Sequence, residues 1–201
     1  MNTMKFAACA AAVAGIALCA NGAKIDKHTL ISHRGESVDA PENTLPAYKT
    51  AVERGFGFEC DIYLSADKRV FTFHDRDLTR TTAGACKKKC ADANWETEIS
   101  KADVGGWGKW KGSKFVGTRP ALLEEVLKLA VDGRWIFVEV KPGPEIYRTL
   151  LERYRLRPED CLFVDDVQQN VDGAVAVGMH AVRFTGDAAA LREVVFAPEW
   201  P

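Results

Sequence analysis

The chain has 201 residues, 47% of them hydrophobic and 27% charged, with a formal net charge of -1. That is the make-up of a soluble globular protein long enough for one domain or two small ones. It excludes a nucleic-acid-binding surface, because the one cationic cluster, Lys87-Lys88-Lys89, is too short for that and reads as a solvated loop.

The N-terminus has a pattern of its own. Residues 1–5 are weakly cationic, residues 6–20 are apolar and rich in alanine, and Ala20, Asn21, Gly22 and Ala23 are small. This is the layout of a secretory signal, and the apolar run is short for a bilayer span. Residues 1–23 are therefore expected to be cleaved and to lie outside the fold. The protein would then be exported, periplasmic or secreted, with no stable membrane anchor after cleavage; an uncleaved anchor is the alternative. Of the six cysteines, Cys9 and Cys19 fall in that leader. Cys86 and Cys90 bracket the three lysines, and export suits a disulfide between them. Cys60 and Cys161 sit in strand-like runs and read as packing residues.

Strands and helices then alternate. Residues 30–33 read as a strand, 43–54 as a helix stopped by Gly55, 56–64 as a strand, and 70–74 as another beyond the turn-like Ala66-Asp67-Lys68. A Gly-, Lys- and Trp-rich loop covers 81–119. A helix over 122–130 and a strand over 135–141 follow. The pattern continues with a helix at 145–154, a strand at 161–164, a helix at 168–177, a strand at 180–184 and a helix at 188–195. Such alternation predicts a parallel sheet covered by helices. About six strands are two short of a closed eight-stranded barrel.

Residues two apart on a strand share a face. Glu59 and Asp61 therefore point together, as do Glu139 and Lys141. Three carboxylates converging at strand ends would offer the all-oxygen ligand set of a hard cation, Mg²⁺ or Ca²⁺; exposed edge acids or ordinary ion pairs are the other reading. His33 and His74 end their strands on the side where parallel sheets bind ligands, and histidine suits proton transfer near neutral pH. Each is also compatible with a simple surface residue. Arg34 would offer a forked donor to phosphate oxygens.

In order, the chain carries His33-Arg34-Gly35, Ala40-Pro41-Glu42-Asn43-Thr44, Glu59-Cys60-Asp61, His74-Asp75 with Leu78-Thr79-Arg80-Thr81-Thr82, and Glu139-Val140-Lys141. This succession resembles the glycerophosphodiester phosphodiesterase family, which has a TIM-barrel fold. Asp103-Val104-Gly105 with Trp107, and residues 120–127, fit the same resemblance. It implies a divalent metal held by Glu59, Asp61 and Glu139, general acid–base roles for His33 and His74, and a phosphate grip by Arg34 and Lys141. The implied substrate is a small-molecule glycerophosphodiester, cleaved to glycerol phosphate and an alcohol.

Past Lys141 a different pattern appears. Residues 156–166, ending Val164-Asp165-Asp166, with Asn170 and Gly178-Met179-His180, look like the final segment of haloacid dehalogenase-type hydrolases. That likeness implies a second, orphan metal site at Asp165 and Asp166. Lys141-Pro142-Gly143-Pro144-Glu145-Ile146 fits both patterns and is expected to mark a junction of two genes or two assembly fragments, a divergent phosphodiesterase being the other reading. Asp75-Arg76-Asp77-Leu78-Thr79 matches the letters of that superfamily's nucleophile segment, but the phosphodiesterase word already accounts for it.

The expected α/β architecture is the first half of a (β/α)8 barrel, an incomplete TIM-barrel-like parallel sheet, continued by a short Rossmann-like segment whose strands extend that sheet. The expected divisions are 1–23 signal, 24–141 partial phosphodiesterase domain and 142–201 dehalogenase-like segment. A non-catalytic remnant and a dehalogenase-type phosphatase are the alternative functions.

Overall fold

The computed structural model describes residues 6–10, 30–129, 136–141, 144–195 and 197. These belong to two compact units, Cys19–Phe137 and Met1–Leu18 with Val138–Pro201, the division falling inside strand β5 (Ile136–Val140). Most of the leader, residues 130 and 135 at expected element ends, and Pro142-Gly143 of the junction word lie outside the described residues.

The first sheet is built on β3 (Gly57–Leu64), which pairs with β2 (Ile31–Ser32), β4 (Val70–Thr72) and β5. β2 runs parallel to β3, and helix α1 (Leu45–Glu53) makes the crossover between them. One apolar stripe of α1 (Ala47, Tyr48 and Ala51) is fully buried, and the Tyr48 ring lies 4.7 Å from that of Phe58 on β3. Gly55, at φ 83°, supplies the left-handed turn that ends the helix.

β4 corrects the expected all-parallel sheet. It runs antiparallel to β3, pairing Ile62 with Thr72 and Leu64 with Val70. The reason is chain length: five residues, 65–69, separate the strands, whereas a parallel crossover needs a dozen or more. Ser65 and Lys68, the latter at φ 61°, form the tight turn.

The segment after β4 was expected as a loop, and it is a packed one. Leu78, Cys90, Ala93, Trp95, Ile99 and Val104 join Phe71 and Phe73 in one buried cluster. The Asp67 carboxylate fastens this layer to the β3–β4 turn by accepting the N–H groups of Trp95 (2.7 Å) and Glu96 (3.2 Å). At Gly105 a β-carbon would lie 1.8 Å from the Phe115 carbonyl oxygen, so only glycine fits. The Cys86–Cys90 disulfide is not formed. Both thiols are free, because Cys90 turns into the cluster and donates to the Asp75 carbonyl at 3.3 Å. Helix α2 (Leu123–Leu127) then leads toward β5.

The second unit has its own parallel sheet, ordered β1 (Phe6–Ala10), β6 (Cys161–Asp165), β7 (His180–Arg183). Helices α3 (Pro144–Tyr154), α4 (Gln168–Val175) and α5 (Ala188–Val195) complete it. The Tyr147 ring of α3 meets Phe163 edge-on at 5.2 Å, and Val171 and Ala174 of α4 are buried. Two expectations change here. The tail strands do not extend the first sheet, and Phe6–Ala10, expected outside the fold, pairs with β6. β6 is buried along its length and apolar up to Asp165 at its end, so its hydrogen-bonding edge favours another short apolar segment.

Phe71 is fully buried and touches both Phe73 and Trp95, at ring distances of 6.2 and 6.0 Å. Phe71→Ala should cost about 3–5 kcal/mol, measured as a lowered midpoint in chemical denaturation.

Candidate active site

The site is assembled around two carboxylates on one face of β3. Asp61 is fully buried, and Glu59 is largely so. Cys60 between them is buried on the opposite face, as the strand's alternation requires. A buried carboxylate needs hydrogen bonds or opposite charge, and the chain after β2 supplies both. Arg34, at φ 58°, and Gly35, at φ 72°, form a left-handed turn. A β-carbon on Gly35 would lie 2.7 Å from the backbone of Ala47, so the turn presses against α1. This turn aims the Arg34 N–H at Glu59 Oε2 (2.9 Å) and brings its Nε to 3.5 Å from Asp61 Oδ2.

Asn43 is the second support. It too sits at positive φ, 54°. Its Nδ2 donates to Asp61 Oδ2 at 2.7 Å, and its Oδ1 accepts the Asp61 N–H at 3.1 Å and the Tyr48 hydroxyl at 2.8 Å. Its carbonyl accepts from Thr72 Oγ1 of β4 at 2.9 Å. One side chain thus ties Asp61 to α1, while its backbone ties the same point to β4.

Glu139 lies on β5, just past the point at which the chain divides into its two units. Lys141, two residues along, forms an ion pair with Glu139. His33 follows β2 with its Nε2 4.0 Å from Glu59 Oε2. Partial burial and the neighbouring Arg34 charge lower the His33 pKa, favouring the neutral ring.

His74 follows β4. Its Nδ1 lies 2.8 Å from Asp75 Oδ1, and Asp75 also accepts from Arg80 Nε (2.7 Å) and Nη2 (3.0 Å). Arg80 in turn holds Glu42, which also binds Arg34 Nη1 at 3.0 Å. Beside His74 a cleft opens, lined by Glu42, Asn43, Thr81 and Val104 among others. The ion-paired Asp75 is committed to orienting His74, which disagrees with a nucleophilic role.

Asp165 and Asp166, the expected second metal site, belong to the other unit. Asp165 ends β6, buried, and accepts the Val167 N–H at 2.7 Å and Asn170 Nδ2 at 3.0 Å. That geometry serves the start of α4. Sequence pattern alone assigned no task to Glu42, Asn43 or Arg80. Asn43 carried one usable signal, since asparagine tolerates left-handed backbone just ahead of a helix.

A family model described as the glycerophosphoryl diester phosphodiesterase family matches residues 33–181. The chain belongs to this family. The match runs on past Lys141, where the sequence resemblance was expected to end, and the comparisons give no support to a dehalogenase-like segment. A protein of Caldanaerobacter subterraneus named glycerophosphodiester phosphodiesterase is 39% identical over 129 residues, 63% of this chain and 51% of that protein. A phosphodiesterase of Oleispira antarctica, solved in complex with the product sn-glycerol-3-phosphate, superposes with a TM-score of 0.64 at 27% identity, over 82% of this chain and 70% of that one. A glycerophosphodiester phosphodiesterase structure from Agrobacterium tumefaciens gives 0.60 at 26% identity, over 76% and 64%. The chain spans about half the length of the Caldanaerobacter relative.

The Asp75 carboxyl is held down to about 2 from 3.8, chiefly by hydrogen bonds from Arg80, with burial opposing and His74 assisting. Its folded value lies below its unfolded one, so the stabilisation is complete above about pH 4 and fades as pH falls through 2. Asp75→Asn should therefore flatten the loss of stability between pH 5 and pH 2, by roughly 1 kcal/mol after solvent screening, read from denaturation midpoints across that range.

Proposed function

We propose that this chain hydrolyses glycerophosphodiesters to glycerol phosphate and an alcohol with the help of one divalent cation, Mg²⁺ or Ca²⁺. The observation that carries the reading is the pair of carboxylates, Glu59 largely buried and Asp61 fully so, that share one face of β3 and are held there by Arg34 and Asn43. The donor set is all oxygen, which fits a hard cation. Glu59, Asp61 and Glu139 would hold it, and a bound ion would stabilise charge on the phosphoryl oxygens.

The remaining roles belong to side chains. Arg34 and Lys141 grip the phosphate, Arg34 through the part of its fork that Glu42 does not occupy. His33 and His74 share the proton traffic as general base and general acid for the attacking oxygen and the leaving alcohol. The lowered pKa of His33 suits proton acceptance at neutral pH. Asp165 and Asp166 take no part, and a dehalogenase-type phosphatase is not favoured. We read residues 1–23 as an export signal on their sequence pattern, testable by mass analysis of the N-terminus of the exported protein.

With glycerophosphocholine, glycerol phosphate release should stop in chelator and return when Mg²⁺ or Ca²⁺ is added. His33→Ala should lower kcat by about 100-fold or more. A metal-loaded wild-type chain with no turnover would instead favour the non-catalytic remnant, and phosphomonoester hydrolysis lost in Asp75→Asn would favour the phosphatase. By calorimetry, Glu59→Gln and Glu139→Gln should each weaken cation binding, while Asp165→Asn should not.

A further inference from the structure

Arg80 and Glu42 have no task in the reaction proposed above, yet they sit in the middle of a run of charged side chains that starts at His74 and ends at Arg34. His74 Nδ1 meets Asp75 Oδ1 at 2.8 Å. Both Asp75 oxygens accept from Arg80, through Nε at 2.7 Å and Nη2 at 3.0 Å. The far side of the same guanidinium donates twice to Glu42, at 3.0 Å and 2.7 Å. Glu42 Oε1 then accepts from Arg34 Nη1 at 3.0 Å. Arg80 also stacks on the Trp107 ring, its Cζ 4.7 Å from the centroid, which fixes the plane of the fork.

Resting on the phosphodiesterase reading, we propose that Arg80 and Glu42 are positioning residues that set the tautomer of His74 and the orientation of Arg34 for that reaction. The physical argument has two parts. An aspartate facing Nδ1 holds the proton there and leaves Nε2 as the reactive nitrogen, but only while the carboxylate itself is fixed. Arg80 fixes it with two donors, a geometry that a lysine's single ammonium cannot copy. At the other end, Arg34 faces Asp61 as well as Glu42. Glu42, whose side chain is only 14% exposed, draws Nη1 aside, so Asp61 does not take up the whole guanidinium and Nη2 stays available to a phosphate oxygen. The two arginines and two carboxylates cancel in charge, so the run can be half-buried without a stranded ion.

The test uses the full, metal-loaded chain and four forms of it: wild type, Arg80→Lys, His74→Ala, and the double variant. On glycerophosphocholine, Arg80→Lys should lower kcat about tenfold or more with KM nearly unchanged, and in the His74→Ala background the same change should cost less than about twofold. Glu42→Gln should raise KM as well, because Arg34 is released. Ring ¹⁵N shifts of His74 should report a proton on Nδ1 in the wild type and a mixture of tautomers in Arg80→Lys, with the same folded circular dichroism spectrum in both. Equal losses in both backgrounds, or a His74 tautomer indifferent to Arg80→Lys, would overturn the proposal. If the wild type turns nothing over, the phosphodiesterase reading fails, and the ¹⁵N shifts still decide whether Arg80 governs His74.

Discussion

Asp61 has no exposed surface, and a carboxylate removed from water costs several kcal/mol unless donors or cations replace the lost hydration. Much of the local architecture answers that single demand. Asn43 supplies an amide donor, Arg34 a guanidinium, and both are placed by residues in left-handed backbone that most side chains avoid. The Arg34-Gly35 turn fits only because Gly35 can lie against Ala47, and Asn43 is held in its conformation by Tyr48 and Thr72. The buried face of α1, the β2 turn and the start of the β4 layer therefore share one electrostatic constraint. A change in any of them would reach the carboxylate face of β3 through Asp61.

What could be read from the sequence follows the reach of each physical rule. Alternation along a strand is local, so the shared face of Glu59 and Asp61 with Cys60 opposite was legible from spacing, and so were α1 and its stop at Gly55. The strand direction of β4 was in principle legible too, since five connecting residues permit only a reversal; the recurrent strand–helix rhythm masked it. Strand partners outside the local sequence were not legible. β6 and β7 are parallel strands, as their flanking helices imply, but hydrogen-bond partners depend on which apolar edge is nearest in three dimensions, and β6 takes β1 rather than β5. Asp75 shows a different failure. Its letters suited a nucleophile segment, and only coordinates show both oxygens taken by Arg80 and one shared with His74.

The long segment after β4 carries a related lesson about glycine and tryptophan. Composition marks it as a loop, yet Trp95, Ile99 and Val104 close the lower side of the core that Phe71 and Phe73 begin. Its glycines serve contact as well as flexibility, as Gly105 against the Phe115 carbonyl shows. Such a layer holds Thr81, Val104 and the Arg80–Trp107 stack beside His74. A packed loop can fix a catalytic imidazole where a mobile one would leave its ring free to turn.

Charge balance gives the site its final character. Asp61 faces Arg34 and Asn43, Glu42 faces Arg34 and Arg80, and Asp75 faces Arg80 and His74, while the environment of His33 favours a neutral ring. Acids and arginines therefore alternate along this run, and neither sign accumulates in it. Glu59 and Asp61 are different, because two carboxylates on one face of a strand repel one another in a half-buried setting. A divalent cation at their oxygens would relieve that repulsion. A phosphodiester entering beside such a cation would meet Arg34, so affinity for the anion depends on the same balance of charge.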